Sequence, residues 1–111
     1  MNARKKTRKL IQQGDVLIHT NVELPEGAKL VPPGHRGHVL AEGEATGHAH
    51  TIAPKGTQLF MANGAMYMQV SKATIVTHEE HKTVKVPKGT HMIDKVKEVD
   101  PFTDEIHTVK D

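Results

Sequence analysis

QLFMANGAMYMQV, residues 58–70, decides the fold. Two apolar runs, 58–62 and 65–70, flank Asn63-Gly64. Asn-Gly suits a two-residue hairpin, because both central residues of a type I′ turn need positive φ. The stretch therefore predicts two paired antiparallel strands.

Working outward, the same texture repeats. ATIVTH, 73–78, is rich in β-branched residues that fit a pleated surface, and KTVKV, 82–86, alternates. PKG, 87–89, turns the chain into THMIDKVKEV, 90–99, and EIHTVK, 105–110, alternates again. Upstream, Gly14 and Asp15 open a short run to Thr20. Residues 23–38 hold three prolines and three glycines, with room for a short edge strand at 28–31. HVLAEGE, 38–44, is a further strand, and 48–52 is extended. Only residues 3–12 allow a helical period. Many short strands with Gly/Pro turns predict an all-β single domain, a small barrel or sandwich. The expected organisation is a basic arm over 1–12, helical or disordered, and a β domain over 13–111.

A chain of 111 residues suits one domain and buries roughly two-thirds of its unfolded surface. It has no cysteine, which removes disulfides, thiolate metal sites and cysteine nucleophiles together. No apolar run approaches the ~20 residues of a membrane span, and a cytoplasmic protein is expected. Arg4, Lys5, Lys6, Arg8 and Lys9 concentrate positive charge in the arm. Elsewhere ten basic residues face thirteen acidic ones. Such an arm suits the phosphates of a nucleic acid or an acidic protein surface. Aromatic residues are too few for a base-stacking platform. A homo-oligomer or larger protein assembly is compatible with the sequence, and a membrane partner is not expected.

Histidine is the outlier, with nine in the chain. EATGHAHTI, 44–52, places His48 and His50 two apart, so an extended strand points both imidazoles to one face. THEEH, 77–81, carries His78 and His81 around Glu79 and Glu80. This is not the HExxH of helical zinc proteases, but a turn can bring both rings to one side. Two close pairs beside strand ends predict a shared metal site at His48, His50, His78 and His81. Glu44 and Glu80 are candidate catalytic carboxylates. Glu79 is weighed as a solvated corner, a base or a group that orients a histidine. Isolated histidines, among them His19, His35, His38 and His107, read as ordinary exposed or hydrogen-bonded residues. Met61, Met66 and Met68 read as core filling beside Leu59, Phe60 and Tyr67.

Two resemblances follow from these motifs. His48-x-His50 together with PKGTH, 87–91, resembles the metal motifs of the cupins, which implies a barrel and a further ligand at His91. The acidic residue expected after that H-x-H is missing from residues 51–58. The pattern GEATGHAH, HEEH and VPKG is similar to a group of small uncharacterised proteins of bacteria and their phages. That resemblance implies that the two histidine pairs belong to one module, placed in a host cytoplasm or a virion if phage-encoded.

The functional expectation is a divalent-metal-binding β protein. Zinc leads, while iron, nickel, copper and manganese are compatible with the ligands. Imidazole binds metal only when neutral, so affinity is expected to fall below about pH 6.5. The chemistry divides two classes: a metal-dependent enzyme, or an accessory or assembly protein of phage or bacterial type whose metal is structural.

Overall fold

The computed structural model describes residues 8–42, 47–95, 97–99 and 106–108. Twelve strands follow one another: β1 Leu10–Gln13, β2 Val16–His19, β3 Lys29–Val31, β4 His38–Glu42, β5 Ala49–Ile52 and β6 Thr57–Ala62. Then come β7 Ala65–Val70, β8 Thr74–Thr77, β9 Val84–Val86, β10 Gly89–Lys95, β11 Lys97–Val99 and β12 Ile106–Thr108. Among the described residues there is no helix long and apolar enough to cross a membrane.

The hairpin at the centre of the sequence forms as its turn dictates. Asn63 and Gly64 have φ of 54° and 77°, and β6 pairs with β7 from Thr57–Val70 to Ala62–Ala65. Around it the chain alternates between two antiparallel sheets. The larger has the order β1-β2-β10-β7-β6-β3, and the smaller β4-β5-β8-β9. β11 and β12 form a separate pair.

One core joins the two sheets. Val16 and Ile18 of β2, Leu59 of β6, Met68 and Val70 of β7 and Ile93 of β10 meet Leu40, Ile52, Val76 and Val86 of the smaller sheet. Period-2 alternation aims these side chains inward, which makes the domain a two-sheet sandwich. Met68 is fully buried, as expected of core filling, whereas Met61 is exposed.

The N-terminal boundary needs correction. Leu10–Gln13 pair with β2 from Leu10–His19 to Gln13–Val16, so residues 10–12 belong to the sheet, not to a helical or disordered arm. The two-residue turn at Gly14 and Asp15, with Gly14 at φ 58°, returns the chain. Ile11 packs against the core and Gln13 is buried, so burial outweighs the basic, helix-compatible local sequence. Arg8 and Lys9 are exposed, while Arg4, Lys5 and Lys6 lie outside the described residues.

Gly89 opens β10 at a position closed to other residues. Its φ is 138°, and a Cβ there would lie 2.9 Å from Asn21 Oδ1 and 3.2 Å from His91 Cε1. The close approach lets His91 fold back, with Nε2–H donating to Pro87 O at 2.7 Å and Nδ1 accepting from Asn21 N at 3.1 Å. Gly89→Ala is expected to cost about 2–3 kcal/mol through backbone strain and displacement of that ring, read from urea midpoints.

Candidate metal centre

Strand pairing assembles the site. β5 and β8 pair at Thr51–Thr77 and Ile52–Val76. Continuing that register sets His50 beside His78 and Ala49 beside Glu79. Beyond the last ladder pair, the Ala49 N–H donates to the Glu79 side chain, Oε1, at 2.9 Å. A bulge of β4 between Val39 and Ala41 lies opposite Thr51 and His50, where it adds local twist.

All four predicted histidines meet here. The His78 ring is central, with centroids 4.3 Å from His50, 4.5 Å from His81 and 5.8 Å from His48. His81 stacks on His50 at 5.9 Å. The ligand atoms that converge come from a different set. One nitrogen each of His48 and His78 and a Glu79 carboxylate oxygen lie within 4.8 Å of one another. Such two-imidazole, one-carboxylate sets hold zinc or iron(II). Glu79, an exposed residue of the corner, is thus one of the three converging groups.

His50 is held by protein groups. It is completely buried, and its Nδ1–H donates to Gln13 Oε1 at 2.8 Å. The Gln13 amide is oriented by its own NH₂, which donates to Val76 O at 3.0 Å and Lys82 O at 2.9 Å. That leaves Oε1 as the acceptor facing the imidazole. His50 Nε2 lies 3.5 Å from Asp15 Oδ1, and Lys95 Nζ lies 3.8 Å from Asp15 Oδ2. A buried polar layer of Gln13, Asp15 and His50 thus underlies the partly exposed His48–His78–Glu79 face.

The glutamates have distinct placements. Glu80 Oε1 is 3.5 Å from His48 Nδ1, where a carboxylate fixes ring orientation and leaves Nε2 for a metal. Glu80 N–H donates to His78 Nδ1 at 3.0 Å. Arg36 donates from Nη2 to Gly47 O at 2.8 Å and lies 4.0 Å from Glu79 and 3.6 Å from Glu42, tying the loop before His48 to the corner after β8. Glu44 lies outside the described residues. His91, which the cupin resemblance would make a ligand, has both ring nitrogens hydrogen-bonded as described above and is absent from the converging set.

The Glu79 carboxyl is held below its usual value of 4.5. The Ala49 N–H is the main cause, followed by its own N–H; burial opposes them, and attraction to His48 and His78 adds smaller contributions. A lowered pKa stabilises the fold above the unfolded value, and that contribution is lost as pH falls through the folded value. Urea midpoints of wild type and Glu79→Gln are expected to differ at pH 7 and to converge well below pH 4.5.

Gln13, Asp15 and Arg36 were not legible as parts of the site. The partners of Gln13 and Asp15 lie far along the chain, Arg36 reaches Glu79 only across the folded sheet, and none of the three belongs to a histidine motif. For Glu79 the signal was present in HEEH, but sequence does not say which of two adjacent carboxylates turns inward.

Fold and site together define a two-sheet β domain with a clustered histidine–glutamate centre. Residues 12–95 match the family described as Domain of unknown function (DUF8820), and the chain belongs to that family. No curated protein and no solved structure matches it.

Proposed function

We propose that this protein binds one divalent metal ion through His48, His78 and Glu79. The observation that carries the reading is the convergence of these three ligand atoms within 4.8 Å, from two elements that strand pairing holds together. A second feature supports it. His78 Nε2 is buried with no hydrogen-bond partner among the described residues. Such a nitrogen costs about 1–3 kcal/mol, and a metal bound there would relieve it. Glu80 N–H, at an exposed corner, would then exchange His78 for water as acceptor.

Zinc is the leading ion, since two histidines and a glutamate make a familiar zinc set, and iron(II) is the next. Three protein ligands leave a position for water or substrate, which favours an exchangeable or catalytic metal over a closed structural one. A metal held there would lower the pKa of such a water, and Glu80, 3.5 Å from His48 Nδ1, would orient that imidazole toward the metal. His50 and His81 line the inner side of the centre.

Elemental analysis of protein purified without metal-affinity resin tests the reading. About one equivalent of metal is expected, falling to near zero in Glu79→Ala. Metal-free wild type that takes up no zinc, iron(II), nickel, copper or manganese at micromolar concentration would overturn it.

A further inference from the structure

The outer face of the larger sheet carries a row of side chains that the core does not use. Strand register aligns Leu10 with His19, His19 with Met92, Met92 with Tyr67, Tyr67 with Phe60 and Phe60 with Leu30. The row crosses all six strands. Burial alternation places it outside: Ile18, His91, Met68 and Leu59, the sequence neighbours of four of its members, are buried, while the members themselves are not. Leu10 and Leu30, at its two ends, are 58 % and 56 % exposed. One adjacent outward row is polar, with Gln58, Gln69 and Thr90, while the other mixes Gln12 and Asp94 with Leu17, Ala65 and Ala62. An apolar, aromatic-bearing centre flanked by polar residues is the anatomy of a protein interface, and here the flank is polar on the Gln58–Gln69–Thr90 side.

We infer that this face pairs with the same face of a second copy of the chain, forming a homodimer. Size supports that occupant. Five interstrand steps of about 4.8 Å make the row about 24 Å long, and the flanking rows widen it by about 7 Å on each side. Two such faces bury roughly 1,000 Å², the lower bound of specific interfaces, which fits a weak, reversible self-association. The row is also self-complementary. A two-fold axis parallel to the strands, passing between Met92 and Tyr67, sets Tyr67 of each copy on Met92 of the other. The same operation places Phe60 against His19 and Leu30 against Leu10. The row carries no lysine, arginine or carboxylate, so no like charges meet across that axis. The inference does not rest on the metal, whose ligands flank β5 and β8 of the smaller sheet.

The chain offers its own probe. Tyr67 is the only tyrosine and there is no tryptophan, so ultraviolet emission reports the middle of the row. Sedimentation equilibrium of the full chain from about 1 to 500 µM, with tyrosine anisotropy across the same range, should give a monomer–dimer midpoint in the tens of micromolar. Tyr67→Lys should raise the dissociation constant at least tenfold. Leu30→Lys should do the same, and its exposure keeps folding out of the comparison. Ile75→Lys, at an exposed position of β8 in the smaller sheet, should change nothing. A protein monomeric throughout would overturn the inference, whether the face is bare or covered by the chain's own ends. A dimer insensitive to both Tyr67→Lys and Leu30→Lys would also overturn it, and would point to pairing through sheet edges.

Discussion

His78→Ala is expected to lower divalent-metal affinity at least 100-fold, while His35→Ala, at an exposed position on the loop before β4, leaves it unchanged. His78 supplies one of the three converging ligand atoms, and its ring is the one that touches the other three histidines. The loss should also appear in stability. A ligand at 100 times its dissociation constant stabilises a fold by about 2.7 kcal/mol. For a domain of this size that raises Tm by roughly 10 °C. Wild type should show that rise on zinc addition and lose it to a chelator. His78→Ala should show neither, in a thermal melt followed by circular dichroism.

Gln13→Ala is expected to cost about 3 kcal/mol without metal. The side chain is 3 % exposed and joins three groups: the carbonyls of Val76 and Lys82 and the His50 imidazole. Truncation strands buried partners at about 1–3 kcal/mol each, and water can replace the amide only at the partly exposed Lys82 end. Chemical denaturation of the metal-free protein measures the cost. A loss below about 1 kcal/mol would mean that water replaces the amide at every contact. Because Gln13 also fixes His50, beside His78, the variant should weaken metal binding less than His78→Ala does.

These two residues show how far the sequence reaches. The β6–β7 hairpin was legible because its information is local: Asn63-Gly64 dictates the turn, and alternation dictates which side chains go in. The strands around it followed from β-branched runs and Gly/Pro breaks. β1 was missed because its pairing with β2, not its composition, makes it a strand. The four histidines were legible as a group because H-x-H and H-x-x-H are visible spacings. The β5–β8 register then brought them together across about thirty residues. Gln13 was not legible, since its partners lie 37, 63 and 69 positions away and only the folded sheets bring them close. Glu79 rather than Glu80 joins the converging set, its carboxylate anchored by the Ala49 N–H.

X-ray absorption at the zinc edge, on protein loaded with one equivalent, tests the central claim most directly. It predicts a shell of two imidazole nitrogens at about 2.0–2.1 Å, carboxylate oxygen and one water, and only free aqueous zinc in the Glu79→Ala sample. A shell of four imidazoles, or zinc that does not bind at one equivalent, would contradict it.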